Sequence, residues 1–424
     1  MLNQNIMKLF SVFSKYNIIV KNTSYLSILE LLKMVMPFIA LPYIIRIVGS
    51  ESYGLIAFIQ TMISYFGIFI NWGLDISAVK DVAIAKNDKY VLGEIVSSVL
   101  LIKFLLWLIS LIVLLLLFIF IPMMRENKLL ILFAFLSCLS EVFFPVWYFQ
   151  GRERMKDITL IRSVSILFYV STLFFVVTKK SDYIYIPLLQ SIGLLLSSFI
   201  SICVVIKRDG IRFSLYNYYI IKRYFIDSIP FFVSRLSVLL NSGMAKIVCG
   251  FFFSMQSVAA LDIAQKIASA SFIPLQMLNQ ALYPYFARTK DTVLARKGLV
   301  FMFLLSLAVM IFVFAIAPFA IGIFAGNQLP ESIVLLRIMG LYIVAAGISL
   351  YLGTPILVAF GYPKPFNMSV IFSSFILFGF YFILYLSDFM SINNFALVLG
   401  ISELFIALYR YYYCSINKLF SYAV

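Results

Sequence analysis

Residues 224–251 read YFIDSIPFFVSRLSVLLNSGMAKIVCGF, a mostly apolar stretch that is long enough to cross a bilayer as one helix. Within it, Arg235 and Lys246 have no acidic residue three or four positions away. At about 100° per residue, both align with Ser228 and Ser242 along one line of the helix. A charged side chain at the bilayer centre costs on the order of 3 kcal/mol. This stripe is therefore predicted to face a water-filled interior or an anionic ligand, and not the lipid.

The composition of the whole chain is that of a membrane protein. Of its 424 residues, 63% are hydrophobic and 12% are charged, and the mean hydropathy is +1.04. Soluble domains average about 25% charged residues, so the chain is predicted to be an integral protein with many spans. The first apolar run, 24–48, contains charged residues and precedes no small-residue cleavage site. It is predicted to be a retained helix and not a secretory signal.

The apolar runs predict about twelve transmembrane helices. They lack the period-2 alternation of a membrane β-barrel, so the fold is predicted to be all-α. The longest connection, about 207–223, divides the chain into an N-terminal lobe, 1–215, and a C-terminal lobe, 216–424. Two parallel six-helix repeats imply pseudo-symmetric lobes around a central cavity. The predicted spans are 24–48, 53–77, 91–121, 127–149, 158–178, 183–206, 224–251, 256–286, 297–325, 332–360, 365–387 and 392–416.

Lys and Arg residues are distributed unevenly between alternate loops, which indicates the orientation of the chain. One side carries most of them, among them Lys80, Arg162 and Arg410, whereas the other side carries few, such as Arg46 and Arg125. This bias predicts that both termini are cytoplasmic. The net charge of +15 follows from the same bias and is no evidence for nucleic-acid binding.

Metal, cofactor and enzymatic chemistry are not indicated by the sequence. Histidine is absent, and the four cysteines form no close-spaced metal pattern. No segment outside the predicted spans is long enough to fold into a catalytic domain. We therefore expect no metal, no cofactor and no enzymatic activity.

Two acid–base pairs lie inside predicted spans. Glu30 and Lys33 are three residues apart, and Asp262 and Lys266 are four apart. Each pair either neutralises itself on burial or lines the cavity, where an anionic ligand would compete with the carboxylate for the cation. The stripe on 224–251 has a structural alternative too, in which its cations bond to carbonyl groups of a neighbouring helix.

Three further acids within the spans have no cation nearby in the sequence: Asp75, Glu141 and Glu403. Burial disfavours the ionised form, so such groups can bind and release a proton or another cation. The candidates for ion coupling are Glu30, Asp75, Glu141, Asp262 and Glu403, and a hydrogen bond between helices is the alternative for each. Lys103 is assigned to snorkelling from a span towards the bilayer surface.

Four segments, in this order and spacing, resemble one known family. They are PYIIRIVG at 42–49 followed by SYG at 52–54, GLDISAVK at 73–80, WYFQG at 147–151 followed by Glu153 and Met155, and LDIAQK at 261–266 followed by Pro274 and LYP at 282–284. The set resembles the bacterial O-antigen and polysaccharide repeat-unit flippases. These form the polysaccharide transporter family of the multidrug/oligosaccharidyl-lipid/polysaccharide exporter superfamily.

The resemblance implies two six-helix lobes around a cationic cavity. It implies a substrate too: an oligosaccharide repeat unit of O-antigen or capsule type, linked to undecaprenyl diphosphate. Such a unit would be moved across the bacterial inner membrane by alternating access. A coupling ion, H⁺ or Na⁺, and the polysaccharide polymerase machinery are further candidate partners.

The same resemblance adds to the candidate binding residues. Lys266 stands where related flippases carry a basic cavity residue, and Lys33 matches a basic region of their first helix. Lysine keeps the charge of arginine but not its bidentate fork. The predicted substrate-binding residues are Lys33, Arg46, Lys80, Arg235, Lys246 and Lys266.

Two other functions remain open at the level of the sequence. A cation-coupled drug exporter of the same superfamily would favour unpaired acids in the cavity, whereas the stripe on 224–251 is cationic. A membrane glycan polymerase or ligase would need a sizeable outer loop with catalytic groups, and the sequence contains none.

Overall fold

The computed structural model describes residues 2–85, 88–213 and 218–420, and their side chains from residue 24 onward except Met34. Every regular element in these residues is helical, and 12 segments are long and apolar enough to cross a membrane. The prediction of an all-α membrane protein with about twelve spans is confirmed. The α-helices are α1 (Leu2–Val48), α2 (Ser50–Asn71), α3 (Leu74–Ile84), α4 (Lys89–Phe120), α5 (Pro122–Glu126), α6 (Lys128–Phe143), α7 (Val146–Gly151), α8 (Met155–Val176), α9 (Tyr185–Cys203), α10 (Tyr218–Asp227), α11 (Ile229–Phe252), α12 (Met255–Ser271), α13 (Ile273–Thr289), α14 (Thr292–Ala325), α15 (Glu331–Ile338), α16 (Gly340–Tyr351), α17 (Pro363–Leu386) and α18 (Ile392–Ile416).

Several spans consist of two consecutive helices, because a residue that cannot continue the helix interrupts them. In the span Ser50–Ile84, Gly73 has a φ of 76° and separates α2 from α3. A side chain there would be strained, and its Cβ would lie 2.6 Å from the Cβ of Phe231. In the span Met255–Thr289, Pro274 occupies the first turn of α13, which begins after the break at Phe272.

Polar side chains cap four of the spanning helices at their N-termini. Asp88 accepts hydrogen bonds from the backbone N–H groups of the first turn of α4. Ser254, Asp291 and Ser391 do the same for α12, α14 and α18. Each cap satisfies a backbone donor that the helix itself leaves unpaired, and thereby fixes where the helix begins.

The chain forms two compact units. The first comprises Met1–Tyr43 and Ile63–Val233, and the second comprises Ile44–Met62 and Ser234–Val424. The lobe boundary predicted between residues 215 and 216 falls within 214–217, outside the described residues.

In the first unit, the segments WYFQG and GLDISAVK pack against each other. The three aromatic side chains at 147–149 are fully buried beside Ala78 and Val82 of α3. A Cβ on Gly151 would lie 2.6 Å from Val82 Cγ1, so only glycine allows α7 to approach α3 this closely.

In the second unit, the first turns of α2 pack directly on α11 and α12. A Cβ on Gly54 would lie 1.7 Å from the carbonyl oxygen of Met255, at the start of α12. Gly250 of α11 similarly leaves room for the ring of Phe58. The glycine of the SYG segment is therefore what permits this contact between α2 and α12, and it places Tyr53 beside α12.

Candidate functional site: a lysine-bracketed carboxylate

Asp262 of α12 is the centre of a charged cluster in the second unit. Its side chain is buried, and Lys266 Nζ, one turn further along α12, lies 2.6 Å from Oδ2. Lys246 of α11 contributes its Nζ at 2.9 Å from Oδ1. The hydroxyl of Tyr53 donates to Oδ2 and accepts a hydrogen bond of 2.7 Å from Lys266 Nζ. One carboxylate is thus bound by two ammonium groups and a phenol.

The cluster carries a net positive charge that is directed outward. The side chain of Asp262 is 3% exposed, while those of Lys246 and Lys266 are 18% and 39% exposed. An isolated buried carboxylate would be costly, and the two ammonium groups offset that cost. Because two cations share one anion, an approaching anionic group meets the ammonium groups first. The arrangement can therefore bind an anion.

Lys246 has no acidic residue three or four positions away, yet the structure gives it an acidic partner from the next helix. Lys246 is paired with Asp262, which is 16 residues away in the sequence. Two residues join α11 to α12, and the helices run antiparallel, as a second bond from Gln265 Nε2 to the Ser242 carbonyl shows. A search of positions three and four residues away cannot detect a partner on the next helix.

The other two predicted binding residues in the second unit are Arg235 and Arg46. Arg235 is half-buried on α11, 11 residues before Lys246, which corresponds to about 16 Å along a helix. Arg46, at the end of α1, is exposed and donates to the Ile323 carbonyl at 3.3 Å. Of the predicted residues, the structure brings together Lys246, Lys266 and Asp262.

The predicted binding residues in the first unit are exposed. Lys33 is paired with Glu30 at 2.8 Å, as their spacing predicts, and both side chains are at least half exposed. Lys80 is exposed on α3.

A second charged cluster lies inside the first unit, around Asp75. Lys103 Nζ binds Asp75 Oδ1 at 2.8 Å and donates to the Glu141 carbonyl at 3.2 Å. Asn71 Nδ2 donates to Asp75 Oδ2 and lies 3.5 Å from Glu141 Oε2. The side chain of Lys103 is 1% exposed, so its assignment to snorkelling is wrong. Asp75 acquires a cation from another helix, which the local sequence could not indicate.

Two arginines that the sequence analysis counted in loops are instead inside helices. Arg162 of α8 lies over the ring of Phe144, at 3.8 Å from its centroid, and is attracted by the carboxylates of Glu141 and Asp75. Arg410 of α18 is buried and packs over the ring of Phe366 at 4.5 Å. The signal was present for both, because the predicted spans 158–178 and 392–416 already contained them.

Glu403 belongs to a buried polar network in the second unit. It accepts a hydrogen bond from the Ser349 hydroxyl, and Arg410 Nη1 donates to the Ser349 carbonyl at 2.6 Å. Arg410 Nε donates to Ser369 Oγ at 3.0 Å. The serine hydroxyl is therefore the direct partner of this acid, as the alternative of a hydrogen bond between helices had proposed.

Outside the spans, Arg154 ties the turn that follows the WYFQG segment to the end of the sixth span. Its guanidinium binds Asp209 Oδ2 at 2.5 Å and pairs with Asp157 as well. Tyr148 OH donates to the same Asp209 oxygen at 2.9 Å. Burial alone would lower the pKa of Arg154, but the bonds to the two carboxylates raise it above its usual value. These contacts stabilise the turn.

The arrangement of helices is the fold seen in solved membrane transporters of the MOP superfamily. An inward-facing multidrug resistance MATE family transporter superposes with a TM-score of 0.73 at 16% identity, over 92% of this chain and 96% of that one. The lipid II flippase MurJ, in an inward closed conformation, superposes with a TM-score of 0.66 at 15% identity, over 93% of this chain and 88% of that one. At these identities the similarity shows the fold.

The family is shown by the sequence match over residues 19–290, which fit the model described as "Polysaccharide biosynthesis protein". The chain belongs to this family. It is 26% identical over 360 residues to a protein of Escherichia coli (strain K12) named "Putative O-antigen transporter", covering 83% of this chain and 86% of that protein. A Shigella dysenteriae protein of the same name is 27% identical over 273 residues, covering 63% of this chain and 67% of that protein. The resemblance to polysaccharide transporters is confirmed.

Proposed function

We propose that this protein is a flippase that moves undecaprenyl-diphosphate-linked oligosaccharide repeat units, of O-antigen or capsule type, across the bacterial inner membrane. Membership of the polysaccharide biosynthesis family supports this proposal, as do relatives that are named O-antigen transporters and the fold shared with a lipid II flippase. The chain acts by alternating access and contributes no catalytic residue.

One observation carries the proposal: Asp262 is buried between two more exposed ammonium groups. A diphosphate brings more negative charge than one carboxylate, so it competes for Lys246 and Lys266. Lysine suits this exchange, because its flexible stem and three donors allow the ammonium to turn from one anion to another.

Asp262 then has a role in release. When the diphosphate leaves, the carboxylate takes back both ammonium groups, so that neither charge stays unpaired during the empty return step. The diphosphate is therefore bound more weakly than by two lysines without a competing carboxylate. Its release, and with it the turnover of the transporter, is faster. Tyr53 holds the carboxylate and Lys266 in register through its hydroxyl.

The other predicted residues have supporting roles. Arg235 adds positive charge on α11, and Lys33, Lys80 and Arg46 are further basic residues that attract the phosphate-bearing headgroup. Glu403 is the acid that binds a coupling H⁺ or Na⁺. Asp75 and Glu141 belong to the cluster around Lys103, where they stabilise the fold.

Deletion of the gene followed by complementation tests the function. In the deletion strain, lipid-linked repeat units should accumulate on the inner leaflet of the inner membrane and surface polysaccharide should disappear. The wild-type gene and the control variant Lys364→Gln, which changes an exposed lysine outside the cluster, should restore both. The triple variant Lys246→Gln, Lys266→Gln and Asp262→Asn, which leaves no buried carboxylate without its cations, should restore neither while the protein level is unchanged. Normal flipping by the triple variant, or export of a cationic dye in place of the lipid-linked unit, would overturn the proposal.

A further inference from the structure

The short helix α10 presents an exposed face that none of the described membrane spans covers. It lies outside the candidate spans and ends one residue before α11, which is a span. Tyr219 is 82% exposed, and Tyr218 and Ile226 are exposed on the same side. Between them lie Lys222 and Arg223, both exposed.

The opposite face of α10 fixes the helix to the first unit. Tyr224 is buried, and its hydroxyl donates to Asp81 Oδ2 of α3 at 2.8 Å. Burial, together with this bond, raises the pKa of Tyr224 above its usual value. The ring of Phe225 stacks on Trp72 with centroids 4.7 Å apart, and Trp72 Nε1 donates to the Phe225 carbonyl at 3.0 Å. The orientation of the exposed face is therefore set by packing.

At about 100° per residue, the exposed side chains occupy one half of the helix. Around that half the order is Tyr218, Lys222, Ile226, Tyr219 and Arg223, so each apolar or aromatic group has a cation beside it. This alternation is typical of helices that lie in the headgroup layer, where rings enter the acyl boundary and basic groups reach phosphates.

The elements next to α10 also expose apolar, aromatic and basic side chains. Helix α10 packs against α3 and α4, whose adjacent ends expose Ile84 and Tyr90. The connection 207–223 contains five basic residues and one acid, Asp209. That acid is largely buried and bound to Arg154, so the exposed charge of the connection is positive. Asp227, at the edge of the exposed half, offsets one of these charges.

We propose that α10 lies in the headgroup layer of the bilayer and binds anionic phospholipids, with Lys222 contacting the lipid phosphates. Arg223 Nη2 is paired with Asp81 Oδ2 of α3 at 2.6 Å, so it helps to hold the helix in place. The position one residue before a span keeps the helix at the membrane surface. Its positive charge selects anionic over zwitterionic headgroups. This surface is separate from the lysine cluster around Asp262, and the inference does not depend on what the protein transports.

Fluorescence quenching in nanodiscs tests this inference on the full-length protein. A single cysteine, Tyr219→Cys, is introduced into a variant whose four native cysteines are replaced by alanine, and it is labelled with an environment-sensitive dye. Spin labels are placed at carbon 5 of phosphatidylglycerol or of phosphatidylcholine, in otherwise identical nanodiscs. We expect quenching in both, and about fivefold enrichment of the anionic lipid at the dye.

Charge variants of the labelled protein identify the binding group. Lys222→Gln should remove most of the preference for phosphatidylglycerol, Lys222→Arg should retain it, and Lys364→Gln should leave it unchanged. Water-like emission without quenching by either lipid would show that α10 is not in the headgroup layer. Equal quenching by both lipids in the wild-type background would show that the surface does not select anionic lipids. Either result overturns the inference, and size-exclusion profiles confirm that each variant is folded.

Discussion

Asp75 and Asp262 are both bound by an ammonium group from another helix, yet the two clusters differ in charge balance and exposure. Around Asp75, Lys103 is 1% exposed, and Arg162 and Glu141 complete a set of two acids and two bases. Around Asp262, two lysines share one carboxylate and reach the surface. A balanced, enclosed cluster stabilises the fold, whereas an outward cation excess leaves charge for a ligand. The difference separates a structural arrangement from a binding one.

The largest effect is expected when the enclosed cluster around Asp75 is disrupted. Lys103→Met leaves Asp75 buried without its cation, so the free energy of unfolding should fall by about 3–5 kcal/mol. Thermal denaturation of the purified protein in detergent measures this loss. The double variant Lys103→Met with Asp75→Asn should recover much of it. A single variant as stable as the wild type would contradict the structural assignment.

The next largest effect is expected on transport, when a lysine of the cluster around Asp262 is replaced. Lys246→Gln or Lys266→Gln each removes a charge-assisted contact with phosphate, worth about 1.5–3 kcal/mol, so flipping should fall about tenfold or more. The rate at which lipid-linked units reach the outer leaflet measures this loss. Each variant leaves Asp262 one ammonium group, so its loss of stability should be smaller than that of Lys103→Met. A loss as large would instead place the cluster with the enclosed one.

A change in Asp262 itself sharpens the contrast by separating binding from turnover. Asp262→Asn removes the competing charge, so purified protein should bind inorganic diphosphate about tenfold more tightly, a gain of about 1.4 kcal/mol. Flipping should nevertheless decrease, because release becomes slower. Weaker diphosphate binding by this variant would show that the carboxylate orients the lysines and does not compete for them.

The smallest effect is expected at Tyr53. Tyr53→Phe removes one hydroxyl that bonds both Asp262 and Lys266, and the free energy of unfolding should fall by about 1 kcal/mol. The flipping rate should decrease because Asp262 and Lys266 are no longer held together by the hydroxyl. Tyrosine analogues that retain a hydroxyl should restore the flipping rate. If the melting temperature and the flipping rate are both unchanged, Tyr53 contributes neither to stability nor to transport.

Much of the fold follows from the sequence, because spans are read from local composition. The apolar runs are long enough to predict every candidate span, and the spacing of Asp262 and Lys266 predicts their pair. Pairs between helices were not predictable, because they depend on which faces meet. The Lys246–Asp262 and Lys103–Asp75 pairs are of this kind. Arg162 was wrongly assigned to a loop because it lies close to the end of its predicted span, 158–178, although that span contains it.

The contact at Gly54 has a consequence for the tolerance of the cluster. The hydrogen atom that glycine carries in place of a methyl group sets how far α2 stands from the Met255 carbonyl. Tyr53 is the preceding residue on the same rigid helix, so any displacement at Gly54 is transmitted to the phenol within one peptide unit. A single added carbon at position 54 would therefore displace the hydroxyl that Asp262 and Lys266 share.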